Sequence, residues 1–212
     1  MVYGGTSWGW LPEPGVYSSY DYGAAIDEAG QLTAKYYAMK RIGYMLQAVD
    51  PFTKTEIASE ASATNIGIDV TERINPDTHT HFFFLRHSDS TSTSNDTFHL
   101  AFSSPDGSYT ITQQPGTAIR LNGRDSKILI AGYNLGDQRL VYSTSELLTQ
   151  TTIGKRDIAV LYGRAGQDGE TVLRYSKHPQ VQVLSDSTTP TYNAANGDLR
   201  LYADVWYRGC FT

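Results

Sequence analysis

The chain has 212 residues, of which 17 are Lys or Arg and 22 are Asp or Glu, so its net charge is −5. A mildly acidic chain without a basic stripe lacks the electrostatic footprint that nucleic acid or an anionic lipid surface requires. No stretch approaches the roughly 20 apolar residues that a membrane-spanning helix needs. The sequence therefore predicts neither a nucleic-acid partner nor a membrane span.

The first 50 residues have the pattern of a strand, a long loop and a helix. Residues 1–3 are strand-like, and the loop that follows, through about residue 24, is rich in Gly, Pro, Ser and aromatic residues. Apolar residues then recur every three or four positions, which places them on one helix face: Leu32, Tyr36, Met39, Gly43 and Leu46. Asp50-Pro51 ends the helix, because proline lacks an amide donor. One strand and one helix cannot bury each other's apolar faces, so we expect further neighbours.

The second part of the chain has the pattern of antiparallel strands and turns. Residues 51–78 are rich in Ala, Ser and Thr and only weakly periodic, so we interpret them as a connecting segment. Period-two or apolar runs then predict strands at 81–85, 97–102, 118–121, 126–130, 157–162, 171–175 and 199–206. The turn residues Asn122-Gly123 predict a hairpin of 118–121 with 126–130. A Gly-rich stretch predicts a second hairpin of 157–162 with 171–175.

The loop after the first strand carries the candidate binding residues. It contains Trp8, Trp10, Tyr17, Tyr20 and Tyr22, with Asp21 between the last two. Aromatic faces can stack on the apolar C–H surface of a sugar, while tyrosine hydroxyls and carboxylates bond its hydroxyl groups. In α/β barrels the loops that follow the strands form the catalytic face. The composition of this loop therefore suits a saccharide pocket, with simple packing of the aromatic residues as the alternative.

Two motif blocks in this loop resemble family 35 β-galactosidases. Val2-Tyr3-Gly4-Gly5-Thr6-Ser7-Trp8-Gly9 and Ser19-Tyr20-Asp21-Tyr22-Gly23-Ala24 are similar to the last barrel strand and its loop in that family. Residues 121–128 and 140–146 resemble the second domain of its large fungal members. The resemblance implies an α/β barrel remnant (last strand, loop and helix) in residues 1–50 of a multidomain fragment. A connecting segment, 51–78, and an incomplete, mainly antiparallel β domain, 79–212, would follow.

The resemblance implies a retaining β-galactosidase, which removes terminal galactose from galactosides or oligosaccharides without a cofactor. Retaining hydrolysis needs two carboxyl groups about 5–5.5 Å apart. In the family both are glutamates on earlier barrel strands, so we expect them upstream of this chain, which alone would be inactive. The glutamates present lie in no family catalytic motif, and no catalytic residue is assigned: Glu13, Glu28, Glu56, Glu60, Glu72, Glu146 and Glu170.

Tyr22 is the one active-site residue that the resemblance carries over. In family members the second tyrosine of the Ser-Tyr-Asp-Tyr block lies in the galactose pocket, so we expect the Tyr22 hydroxyl to bond the sugar or orient the nucleophile. Asp21 is expected to fix the loop by accepting backbone amides, with Tyr20 packed beneath it. Trp8 is a candidate for the pocket wall.

Two lesser motifs concern modification and metal binding. Asn95-Asp96-Thr97 is a glycosylation sequon, and its use fits a parent protein that is extracellular, with a signal peptide upstream of this chain. His79 and His81 flank Thr80, and alternation would place both imidazoles on one strand face, where they could bind a metal. Without a third ligand we interpret them as ordinary polar strand residues and predict no metal site.

Two alternatives to a glycosidase fragment are open. The β region alone could be a non-catalytic carbohydrate-binding or scaffold module, although such a module has no use for an isolated strand–loop–helix unit. The chain could also be a truncated gene product, since Met1 falls on an internal position of the family pattern. The coding DNA upstream of Met1 distinguishes these alternatives from the first hypothesis.

Overall fold

The computed structural model describes residues 2–6 and 18–205, which divide into two compact units, Met1–Ala48 and Val49–Thr212. Several residues singled out in the sequence lie outside the described residues: Trp8, Trp10, Tyr17 and Cys210. Within the described ranges, no helix is both long and apolar enough to cross a membrane.

The first unit consists of a two-stranded ribbon and one helix. Strands β1 (Gly5–Thr6) and β2 (Ser19–Tyr20) pair antiparallel, and helix α1 spans Ala34–Ala48. The predicted helix is therefore present, but its predicted apolar face is not covered. Met45 is the buried residue of α1, whereas Leu32, just before the helix, and Met39 and Leu46 within it are 38–47% exposed.

The second unit begins with a short 3-10 helix, Asp50–Thr53, and its other helices or strands within the described residues are all strands. The strands are β3 (Glu56–Ala58), β4 (Ser62–Ala63), β5 (Ile68–Ile74), β6 (His81–His87), β7 (Asn95–Phe98), β8 (Leu100–Ser104), β9 (Gly107–Ile111), β10 (Ile119–Asn122), β11 (Ser126–Leu135), β12 (Gln138–Ser143), β13 (Glu146–Ile153), β14 (Arg156–Tyr162), β15 (Gln167–Arg174), β16 (Thr188–Asn193) and β17 (Asp198–Val205). Every pair of these strands is antiparallel, so the prediction of a mainly antiparallel β domain is confirmed.

One large sheet dominates the second unit. It has eight strands in the order β16-β17-β15-β12-β11-β6-β5-β3, and three small sheets, β4-β8-β9, β7-β10 and β13-β14, accompany it. Apolar side chains of the large sheet and of the first two small sheets form one buried cluster that includes Phe83, Leu129, Phe102 and Leu121. The central strands β6, β11, β12 and β15 carry runs of consecutive buried residues, because both faces of the sheet are covered there.

Both predicted hairpins are wrong, because β10 pairs with a strand distant in sequence and β14 pairs with the strand before it instead of the strand after it. Strand β10 pairs with β7 rather than with β11, and β14 pairs with β13 rather than with β15. A turn does form after Asn122, whose carbonyl accepts the amide of Asp125, but the chain then crosses from a small sheet into the large one. The segment predicted as a connection, 51–78, in fact contains β3, β4 and β5. The sequence did not predict β5 because its charged residues, one of them the buried Glu72, interrupt the apolar alternation typical of a strand.

Candidate functional site

Tyr22 occupies a tight turn of the first unit. The carbonyl of Asp21 accepts the amide of Ala24 at 2.8 Å, while Tyr22 and Gly23 have φ angles of +48° and +62°. Positive φ at both central positions is the mark of a type I′ turn, which favours Gly, Asn and Asp. Positive φ is uncommon for a bulky side chain such as tyrosine. The turn leaves the Tyr22 side chain 67% exposed.

Asp21 holds this turn in place, as the sequence predicted. Its Oδ1 accepts the amide of Glu28 at 2.5 Å, and Glu28 in turn accepts the Thr6 hydroxyl at Oε2 over 3.0 Å. On the far side of the turn, the Lys35 ammonium donates to the carbonyl of Gly23 over 3.1 Å. The turn that carries Tyr22 is thus tied to strand β1 through Glu28 and to helix α1.

The Gly4-Gly5 pair explains why the loop can lie so close to strand β1. A Cβ atom on Gly4 would lie 2.0 Å from Asp21 Oδ1, and one on Gly5 would lie 2.7 Å from the Tyr20 hydroxyl oxygen. Both glycines therefore leave room for the Asp21 carboxylate and the Tyr20 hydroxyl, which any larger side chain at these positions would displace. The Tyr20 and Tyr22 rings are 6.0 Å apart between centroids.

Two glutamates of the second unit are buried and hydrogen-bonded, a role the sequence did not reveal. Glu72 accepts the amides of Glu60 and Ala61 at Oε2, over 3.0 and 2.9 Å, and its Oε1 lies 2.8 Å from His81 Nδ1. Burial by itself raises the pKa of Glu72, but these hydrogen bonds and the nearby imidazole bring that pKa below its usual range. Glu72 therefore works as a buried acceptor that joins backbone segments.

Glu170 has the same function elsewhere in the β unit. It accepts the amides of Gln113 and Gln114 at Oε2, over 2.8 and 3.3 Å, and the Tyr142 hydroxyl at Oε1. The Nε atom of Arg200 lies 3.7 Å from the same oxygen. Burial, followed by this hydrogen bond to Glu170, raises the pKa of Tyr142 strongly. A carboxylate this deeply buried is not accessible to a substrate.

His79 and His81 do not share a strand face, contrary to the sequence interpretation. His79 lies in the turn between β5 and β6 with a φ angle of +53°, whereas His81 begins β6 and is buried against Glu72. In the part of the chain that the structure describes, no group of three or more His, Cys, Asp or Glu residues could hold a metal ion.

Asn95 lies at an accessible place for modification. It is exposed, begins strand β7, and pairs across the ladder with Asn122. The sequon threonine, Thr97, is exposed on the same strand.

Comparison with known proteins identifies both units. Residues 52–204 match the family model described as β-galactosidase, domain 2, and residues 1–46 match that of glycosyl hydrolases family 35. Probable β-galactosidase B of Sclerotinia sclerotiorum and that of Emericella nidulans are each 32% identical over 94% of this chain. Probable β-galactosidase A of Aspergillus fumigatus is 33% identical over 96% of it. The chain spans 20% of the length of each of these relatives. The chain therefore belongs to family 35 of the glycosyl hydrolases, with residues 52–204 in its β-galactosidase domain 2.

Proposed function

We propose that this chain forms part of a retaining β-galactosidase that removes terminal non-reducing β-D-galactose from galactosides and galactose-containing oligosaccharides. The two family matches and the relatives named as probable β-galactosidases support the proposal. Two carboxyl groups suffice for the chemistry, one as nucleophile and one as acid/base. The proposal therefore requires no cofactor.

In this proposal residues 1–50 supply the last strand, its loop and the closing helix of an α/β barrel. Support comes from the exposed apolar side chains of α1, which require another layer to cover them. Those between 38 and 52% exposed are Tyr37, Met39, Ile42, Tyr44 and Leu46. A barrel strand is the kind of neighbour that buries such a helix face.

The observation that carries the proposal is the turn of Tyr22. A bulky residue in a left-handed conformation, two-thirds exposed and tied at both ends of its turn, is arranged to present its side chain rather than to bury it. A phenol hydroxyl in that position can donate to, and accept from, a sugar hydroxyl or orient the nucleophilic carboxylate. We assign Tyr22 to the galactose pocket.

The 212-residue chain by itself is proposed to be inactive. Glu72 and Glu170, the two most buried glutamates of the described residues, are hydrogen-bonded to backbone amides and side chains. Neither carboxylate is free to attack the anomeric carbon of a galactoside. Purified chain should therefore not hydrolyse a nitrophenyl β-galactoside, and clear, saturable turnover would overturn this part of the proposal.

The coding DNA upstream of Met1 tests the proposal without any protein. An in-frame reading through seven further barrel strands, with two glutamates at strand ends, is the expected result. A stop codon or an unrelated sequence there would contradict it and favour a truncated gene product. For the parent protein we further propose an extracellular location with an N-linked glycan at Asn95, supported by the sequon and its exposure.

A further inference from the structure

A polar cavity of about 590 Å³ lies beside the β11–β12 turn and the end of β15 in the second unit. The polar residues that line it are Asn134, Asp137, Gln138, Arg139, Arg174 and Ser176. Its volume falls within the range of small-molecule sites, roughly 300–1,000 Å³. Aromatic side chains are absent from its lining among the described residues.

Two arginines of this cavity are held rigidly despite their like charge. Arg139 and Arg174 stand directly opposite each other across β12 and β15, an arrangement that repels. Asp106 lies between them and accepts Arg139 at Oδ2, 3.0 Å from Nε, and Arg174 at Oδ1, 3.2 Å from Nη1. The two carboxylate oxygens of Asp198 accept hydrogen bonds from Arg174 Nε and Nη2, over 2.7 and 3.1 Å. The guanidiniums are thereby fixed before any ligand arrives.

The hydrogen-bonding capacity of the cavity is only partly used within the protein. Arg139 donates from Nη1 to Asn134 Oδ1 over 3.0 Å, in addition to its bonds with Asp106. A guanidinium has five N–H groups. Arg174 also donates from Nη2 to the Tyr109 hydroxyl over 3.4 Å, so the bonds named here leave one N–H group of Arg174 and two of Arg139 for a ligand. Gln138 and Ser176 can each donate and accept, and Asp137 accepts only.

The charge of the cavity selects the class of ligand. Arg139 and Arg174 are balanced by Asp106 and Asp198, and Asp137 adds one further negative charge. An anion such as phosphate therefore meets no net positive potential. A neutral molecule with many hydroxyl groups, each able both to donate and to accept, satisfies fixed donors and acceptors at once.

We propose that this cavity is a saccharide-binding site that takes a neutral sugar unit and has no catalytic role. This site goes beyond the proposed β-galactosidase activity, and the ligand class follows from the cavity's own chemistry. Only the choice of galactosides as the first probes rests on the proposed function. Without an aromatic platform for stacking, the affinity is expected to be weak, with Kd on the order of millimolar.

The test is a titration of the 212-residue chain followed by amide NMR. Galactose, lactose and glucose are the neutral probes, and inorganic phosphate and galacturonate are the anionic ones. The expected result is saturable shifts of the Asp137 and Gln138 amides with at least one neutral sugar and none with the anions. Asp137→Ala should weaken the binding at least fivefold, whereas Asp186→Ala, which removes another exposed carboxylate outside the cavity, should not.

Each outcome decides the matter. Saturation by phosphate or galacturonate alone, no saturable shift with any neutral sugar, or equal binding by Asp137→Ala would overturn the saccharide site, provided that circular dichroism shows the variant folded. Binding of glucose as tightly as galactose would support the site while separating it from the proposed galactosidase function. Failure of the site would leave the Tyr22 assignment untouched, since that assignment is tested by turnover.

Discussion

Glu72 Oε1 lies 2.8 Å from His81 Nδ1 inside the β unit, where the two side chains are 2% and 6% exposed. The same carboxylate accepts the amides of Glu60 and Ala61. One carboxylate thus joins strands β5 and β6 to the segment before β4. Loss of this carboxylate would leave several buried hydrogen-bonding groups without their partner, which lowers the stability of the fold.

Replacing Glu72 should destabilise the β unit substantially. Glu72→Ala leaves two backbone amides and an imidazole without their acceptor, so we expect a loss of about 3 kcal/mol in the free energy of unfolding. Urea denaturation followed by tryptophan fluorescence or circular dichroism measures it. Glu56→Ala, at an exposed position on the edge strand β3, is the control and should change stability by less than about 0.5 kcal/mol. Equal effects of the two substitutions would contradict the role given to Glu72.

The contribution of Glu72 should depend on pH in one direction. Because its pKa is lowered in the folded state, the ionised carboxylate stabilises the fold above its ordinary pKa of 4.5. That contribution is lost as the pH falls through the lower pKa of the folded state. The difference in urea midpoint between the original chain and Glu72→Gln should therefore be largest near neutral pH and shrink below pH 4.5. A difference that grows on acidification would show that the pKa is raised instead.

Gly4 should not tolerate a side chain. Gly4→Ala would place Cβ 2.0 Å from Asp21 Oδ1, so Asp21 must move and release the Glu28 amide. We expect faster proteolytic cleavage around residues 20–28. Gly43→Ala is the matched control: nothing lies within 4 Å of its added Cβ, and the site is inside α1, so alanine should stabilise the helix by up to about 1 kcal/mol. Unchanged cleavage in Gly4→Ala would contradict the contact between Gly4 and Asp21.

Asn95 should carry a glycan when the protein is made in a secretory eukaryotic host. The exposed amide lies at the start of β7, accessible to the transferase. Peptide N-glycosidase should then increase the gel mobility of the secreted protein, and Asn95→Gln and Thr97→Ala should both abolish that change. Asn193→Gln, an exposed asparagine outside any sequon, should leave it intact. Secreted protein with no mobility change would show that the sequon is unused.

Local patterns in the sequence predicted strands better than partners. The apolar run at 81–85 lies in strand β6, and residues 199–205 of the predicted alternation lie in strand β17, because each signal depends on a single segment of the chain. The pairing of β10 with β7 depends on contacts between segments far apart in sequence, such as Asn122 with Asn95, and no local signal encodes them. The turn signal Asn75-Pro76-Asp77 could have revealed β5 and β6 as a hairpin, and with it the approach of Glu72 to His81.

In the candidate site, too, local features could be predicted from the sequence and contacts between distant segments could not. Asp21 was predicted to accept backbone amides, and it accepts the amide of Glu28, whereas the close approach of Gly4 and Gly5 to Asp21 and Tyr20 was not predicted. The arginine pair, Arg139 and Arg174, could not be predicted from the sequence because Asp106, which bridges the two, lies in the turn between β8 and β9 of a separate small sheet. Only the assembled fold places that carboxylate between them.

The most direct test of the central claim is the kinetics of Tyr22→Phe in the longer protein encoded by the in-frame upstream DNA. Loss of a hydroxyl that bonds the sugar or orients the nucleophile should lower kcat/KM for a nitrophenyl β-galactoside by about 10- to 100-fold. Tyr192→Phe, which removes a hydroxyl from the edge strand β16 of the β unit, should have no effect. If Tyr22→Phe retains full kcat/KM, Tyr22 lies outside the galactose pocket and the account of this loop is wrong.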